Sequence, residues 1–304
     1  MVIGSNIKAT LSHIDPHLTL SDSASFHLSI QVSLDGFSFA LLNVNDQKYT
    51  AIQFYDIQES HNYSELAEKI EQIIAQQELL QQHYSTVTIC ICNSINSLTP
   101  KDLYENNYGR ELLGFNQVLL QNEDESNDWL KSIECFNSYV IPKELKRCFD
   151  KYYPNHSWKH QSTVFIESVM QHYKLNEETT IYISVQNTYF QLVILEGRKL
   201  KFFNGYDYRS GEDIIYYILF ACEQLDLNPD QIPIVIAGEI EINSEAYKFI
   251  HRYIRNISFT NRNPSYVYSF VFDEIPNHYF YQLLNLPFYL MHQKLIKLDN
   301  QLFL

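Results

Sequence analysis

One order of predicted elements, strand, strand, strand, helix, strand, runs twice along this chain, first across residues 28–92 and again across residues 180–238. A duplicated β-β-β-α-β unit restricts the fold to a mixed α/β architecture of two lobes, each built on its own sheet. The 304 residues suit this, because single cores stop growing near about 250–300 residues.

In the first copy, Leu28-Ser-Ile-Gln-Val-Ser33 alternates apolar and polar residues with the period of a strand. Leu34-Asp-Gly36 reads as a tight turn in which Gly36 supplies a positive φ, and residues 37–42 return as a second strand. Residues 49–55 form a third. A helix follows with Ser64 as its N-cap, placing Leu66, Ile70, Ile73, Ile74 and Leu80 on one stripe. The β-branched run 86–92 closes the unit.

The second copy has strands at 180–186, 190–195 and 199–203, with the Glu196-Gly197 turn between the last two. Its helix opens at Ser210-Gly-Glu-Asp213, a capping-box pattern, and is followed by a buried strand at 233–238. Between the copies the sequence predicts an acidic solvated loop at Glu123-Asp-Glu125, a strand near 138–141 and a helix entered through Pro142. A break at Tyr152-Tyr-Pro-Asn-His156 divides the chain into a first lobe, 1–155, and a second, 156–304, with a helix at 162–173 leading into the latter. No residue-level identity links the copies, so element order is repeated and not a solenoid period.

Charge narrows the choice of partners. There are 22 basic and 36 acidic residues, a net −14, with no basic cluster. Nucleic acid and anionic membrane surfaces are therefore poor partners. Five cysteines, an odd number without CxxC spacing, point to a reducing compartment. The first 14 residues lack a signal-peptide core, and no apolar run is long enough to insert into a membrane, so the expectation is a cytoplasmic protein. On that expectation the Asn-x-Ser matches at Asn62, Asn155 and Asn256 are chance.

Familiar site motifs are absent. Eight glycines are too few and too scattered for GxGxxG or a P-loop. No Gly-x-Ser-x-Gly elbow or Cys-centred signature marks a hydrolase. Cys90 and Cys92 share a strand face without a second pair opposite, and His156 and His160 fall in a turn or extended segment, so no metal is expected at either. Asp35, just before a glycine, has the ordinary place of a turn residue. The aromatic ladder Tyr266-Val-Tyr-Ser-Phe-Val-Phe272, followed by Tyr279-Phe-Tyr281 and Phe288-Tyr289, predicts a strand with one face in the core and another suited to a protein partner.

Two β-β-β-α-β lobes in tandem resemble the actin-like ATPase (ribonuclease H-like) fold of actin, sugar kinases, heat-shock chaperones and PilM-type pilus proteins. The segments Leu28-Ser-Ile-Gln-Val-Ser-Leu-Asp-Gly-Phe-Ser-Phe39, Ser138-Tyr-Val-Ile-Pro142, His160-Gln-Ser-Thr163 and His278-Tyr-Phe-Tyr-Gln-Leu-Leu284 are similar to a Bacteroidetes family known only as a domain of unknown function with this fold.

The resemblance implies a nucleotide cleft. In active members each lobe's first hairpin carries Asp-x-Gly, the acid positioning metal or its water and the glycine admitting phosphate to the backbone. By register those elements fall here on Gln31-Val-Ser33 and Ser184-Val-Gln186, without acid or glycine. The strand followed by Gly-Gly near the adenosine becomes Ile236-Ala-Gly-Glu239, with Gly238 kept and Glu239 in place of the second glycine. Gly211 matches a glycine bordering the nucleotide, although a capped helix start explains it as well. The resemblance thus implies a vestigial cleft of Gln31, Ser33, Asp35, Ser184, Gln186, Gly211, Gly238 and Glu239. The expected function is a non-catalytic interaction or scaffold module with an unidentified protein partner and no cofactor. The alternative is a nucleotide-binding regulator or weak ATPase or kinase that holds ATP and magnesium with substituted residues.

Overall fold

The computed structural model describes residues 7–20, 23–57, 60, 62–104, 109–115, 119 and 121–288. In the first lobe, strands β1 (Leu11–Ile14), β2 (Phe26–Ser33), β3 (Gly36–Asn43) and β4 (Lys48–Asp56) lead into helix α1 (Tyr63–Gln76) and strand β5 (Thr86–Ile91). β2 and β3 pair antiparallel as far as Ser33 opposite Gly36, leaving Leu34 and Asp35 as a two-residue turn. Gly36 does not adopt the positive φ expected of it; among described glycines only Gly197 and Gly238 do. A side chain at Gly36 would instead meet the Phe54 ring, which lies 2.8 Å from the position of a Cβ. Helix α1 buries Leu66, Ile70, Ile73 and Ile74 against the sheet, but its cap is Asn62, whose side chain accepts from the Glu65 N–H. Leu80 lies beyond the helix in a separate short turn.

An insertion follows: β6 (Asn96–Pro100), α2 (Gly109–Gly114), β7 (Glu123–Leu130) and β8 (Cys135–Pro142), the strands forming a three-stranded sheet in the order β6-β8-β7. The acidic segment expected to be a loop is therefore a strand. Alternation buries Asp128 and Leu130 and exposes Asn127 and Trp129, while Glu123 is buried at the start of the strand on the opposite face, a pattern that pairing with β8 makes possible.

Helix α3 (Lys143–Tyr152) starts directly after Pro142, and β9 (His156–His160) then pairs parallel with β5. Sheet membership therefore crosses the expected 155/156 division, because β9 completes the first sheet. Helix α4 (Gln161–His172) follows, with residues 161–170 all buried, as befits a helix packed on every side. Val164 joins the core beneath the first sheet, while Phe165, Ile166 and Val169 join the core beneath the second.

The second lobe holds β10 (Thr179–Val185), β11 (Tyr189–Glu196), β12 (Lys199–Asp207), α5 (Gly211–Gln224), β13 (Ile234–Gly238), α6 (Glu245–Tyr253) and β14 (Ile257–Phe259). Its order β12-β11-β10-β13-β14 matches β4-β3-β2-β5-β9 of the first sheet strand for strand. Both copies also shift register between the second and third strands, at Leu41/Leu42 and at Ile194/Leu195. Such irregularities bend and twist a sheet locally.

The chain then returns to the first lobe. β15 (Val267–Tyr268) pairs parallel with β4, and 270–272 forms a 3-10 turn, so the predicted 266–272 strand is confined to two residues. Tyr49 explains this: its ring stacks on Tyr268 at 5.3 Å, meets Tyr266 edge-on at 5.4 Å, and its hydroxyl donates to the Leu284 carbonyl at 2.8 Å. Much of the ladder is thus internal packing, while Val267 and Phe270 remain exposed. Tyr289, the last of the predicted aromatics, lies outside the described residues. No helix among the described residues is long and apolar enough to cross a membrane.

Candidate functional site

The matching hairpins aim their turns at a common cleft. Gln31, Ser33 and Asp35 from the β2–β3 hairpin, Asp56 from the end of β4, Gln186 after β10 and Glu239 after β13 line a recess of about 200 Å³. It adjoins a wider cavity of about 740 Å³ whose walls include Tyr63, Asn93, Gln161, Tyr189 and Asp207. Five of the eight residues expected around a vestigial cleft, Gln31, Ser33, Asp35, Gln186 and Glu239, thus meet in one place.

The other three do not line it. Ser184 is fully buried and its hydroxyl accepts from the Gln282 amide. Gly238 has φ +94°, and a Cβ there would lie 2.1 Å from the Val185 carbonyl oxygen, so the glycine serves the close approach of β13 to β10. Gly211 packs α5 against α6: a Cβ would fall 2.8 Å from Ala246 Cα and 2.9 Å from Phe249 Cβ. Its role is helix contact. Asp56 was not foreseen, although its position opposite Gly36 at the end of a strand beside the Asp35 turn was available from hairpin pairing alone.

Hydrogen bonds fix the turns. Ser33 Oγ donates to Asp35 Oδ1 at 2.6 Å, and the Asp35 carbonyl accepts from the Ile57 N–H at 2.8 Å. Across the cleft, the Gln186 N–H donates to the Tyr189 carbonyl at 2.8 Å, and the Tyr208 hydroxyl donates to the Gln186 carbonyl at 2.6 Å. Glu239 is held through its N–H, which donates to the Val185 carbonyl at 2.7 Å.

The electrostatics are those of an acid cluster. Solvent reaches Glu239 from the cleft, but thick walls surround it on the other sides, and this desolvation, followed by the Asp35 and then the Asp56 charge, pushes its carboxyl up to about 7. Tyr208 is pushed up to about 12 by burial first, then by Glu239 and Asp35. The Cys92 thiol is held well above its ordinary range by its hydrogen bond with Cys90, by burial and by the same acids, so it is no reactive thiolate. No Lys, Arg or His is among the described residues lining either part of the cleft.

Metal-binding geometry is likewise missing among the described residues, where no three His, Cys, Asp or Glu side chains converge as a cage. His156 and His160 stand on strand β9, which separates residues four apart by about 13 Å. His160 Nδ1 caps α4 by accepting from the Ser162 N–H, and His156 Nδ1 lies 2.6 Å from the Tyr153 carbonyl.

A protein-family model described as "Protein of unknown function (DUF3822)" matches residues 15–257, most of the chain. The chain belongs to the DUF3822 family. Among solved structures, this DUF3822 protein is similar to a Bacteroides thetaiotaomicron protein with an actin-like ATPase fold and unknown function, with TM-score 0.72 and 22% identity over 82% of this chain and 95% of that one. It is also similar to the PilM-PilN type IV pilus biogenesis complex, with TM-score 0.50 and 9% identity over 80% and 90% of the two chains. The ethanolamine utilization protein EutJ from Carboxydothermus hydrogenoformans follows at TM-score 0.46 and 7% identity, covering 90% and 91%. A search among curated proteins found no match. The DUF3822 chain therefore has the actin-like ATPase fold foreseen from its duplicated units.

Proposed function

We propose that this DUF3822 protein is a non-catalytic, cytoplasmic interaction module: an actin-like frame that works by contacting a protein partner, with a cleft retired from phosphoryl transfer. The observation that supports this reading is the chemistry of the cleft wall. Phosphoryl transfer needs cations and aimed donors around the transferring group. Here Gln31 and Ser184 stand where the fold's metal-positioning acids would be, Ser184 is engaged by Gln282, and the Gln186 N–H is taken up within its own hairpin. Of the acids that are present, Glu239 has its proton affinity raised, by burial and then by the Asp35 and Asp56 charges, and no three such side chains converge as a cage among the described residues. These residues do not fit a magnesium triphosphate.

A surface suited to a partner lies on α5, where Tyr216 and Phe220, one turn apart, stack with ring planes 17° apart and stand 62% and 44% exposed. Exposed aromatic pairs are a common component of protein interfaces. The frame is compatible with such use, since PilM is seen in complex with PilN. The nucleotide-regulator alternative draws on one observation, a cavity of about 740 Å³, within the range of small-molecule sites.

Release of phosphate from ATP by the purified protein, with and without magnesium, tests the catalytic half. The expected rate equals the protein-free background, and a magnesium-dependent rate that Asp35→Asn removes would overturn the reading. Affinity capture with the wild type and with Tyr216→Ser/Phe220→Ser tests the other half: a partner held by the first and lost by the second is expected. Identical, non-specific recovery by both would count against it.

A further inference from the structure

The small recess presents the carboxylates of Asp35 and Glu239, and no Lys, Arg or His is among the described residues that line it. Asp35 and Glu239 face it from opposite lobes, and neither has a cationic partner among the described residues. Gln31, more than nine-tenths buried, lines the same wall, and its side-chain oxygen has no hydrogen-bond partner. The Phe54 ring contributes an aromatic wall. A volume of about 200 Å³ equals the share of roughly six or seven water molecules in the liquid, enough for a charged head group and too little for a nucleoside.

We propose that this recess binds the guanidinium group of an arginine side chain presented by a partner protein. The chemistry selects that group over other cations. A guanidinium is planar, carries five donors in a fork that matches carboxylates, and stacks on aromatic faces. A divalent metal would need converging ligands that the described residues do not provide. Asp35 and Glu239 supply the charge, Gln31 an unpartnered polar side chain in the recess wall, and Phe54 the stacking face. The recess lies between the turns of both lobes, so an arginine held there contacts Asp35 of one and Glu239 of the other. The binding needs Glu239 ionised, and the titratable groups around it are Asp35, Asp56, Tyr208, Tyr279 and Cys92.

This inference rests on the interaction-module reading, and the experiment keeps the two separable. The full chain at pH 8 is titrated with the capped tripeptide acetyl-Gly-Arg-Gly-amide, followed by calorimetry and by melting temperature at constant ionic strength. Peptides with lysine or with citrulline, the neutral isostere of arginine, serve as comparisons. The expected result is saturable binding of the arginine peptide with a millimolar or tighter dissociation constant, at least tenfold weaker binding of the other two, and at least tenfold loss in Asp35→Asn/Glu239→Gln. Absence of saturable binding would overturn the inference, as would equal binding of citrulline or lysine, or undiminished binding by the double variant. Such a failure leaves the interaction module standing, whereas that reading fails on nucleotide hydrolysis.

Discussion

Glu239 shows most clearly how a single residue reports on this cleft. Burial and the neighbouring acids raise its carboxyl from an ordinary 4.5 to about 7, so between those values the folded protein binds more protons than the unfolded chain. Stability contributed by the protonated form is complete below about pH 4.5 and lost as pH rises through 7. Glu239→Gln should therefore melt increasingly above the wild type as pH rises across this window, with the difference constant above it. A difference that does not change with pH would show that the charge is not strained.

Asp15 behaves in the opposite sense. It is 4% exposed, beneath only a thin layer of protein, and the His17 N–H at 2.9 Å, with further help from Ser269 and Lys48, outweighs burial and holds its carboxyl far below the ordinary range. Its contribution is present above about pH 4 and lost in acid. Asp15→Ala should cost about 2–3 kcal/mol at neutral pH, measured by urea denaturation, a cost that begins to fall below about pH 4 and is still largely present at pH 3, because the folded carboxyl takes up its proton only in stronger acid. Residues of the site were legible unevenly. The family resemblance placed Gln31, Ser33 and Gln186 in the cleft, whereas Asp56 matches no family motif and emerges only when the second and third strands are paired to their ends, where it stands opposite Gly36.

At the scale of elements, period-two and helical patterns and β-branched runs identified the strands and helices of both repeats, even though β2, β3, β10 and β11 are buried on both faces. The errors fall where a neighbour overrides local pattern. Glu123 to Leu130 reads as a solvated loop until β8 pairs with it. The 266–272 ladder reads as a strand until the Tyr49 ring gathers its aromatics into a strap. Gly211 offers a test of element packing against ancestry. Its hydrogen atoms face Ala246 and Phe249 of α6, so Gly211→Val should destabilise the protein by about 1–3 kcal/mol through overpacking while leaving arginine-peptide affinity within twofold. Near-normal stability would contradict the contact, and a selective loss of cleft binding would return Gly211 to the cleft.

Across the whole molecule, the repeated element order carried the fold: matching sheet orders and matching register shifts follow from one duplicated unit. The assignment of every segment to a lobe did not follow, because β9 and the strap at 266–272 return to the first sheet through long-range contacts that leave no local pattern. What this frame now does turns on whether its cleft still holds a nucleotide. The direct measurement is the melting temperature of the purified protein with millimolar ATP, with and without magnesium. Binding at 100 times the dissociation constant would add about 2.7 kcal/mol to stability. The acid-lined cleft predicts no shift beyond that of matched salt, and a saturable, magnesium-dependent rise would contradict it.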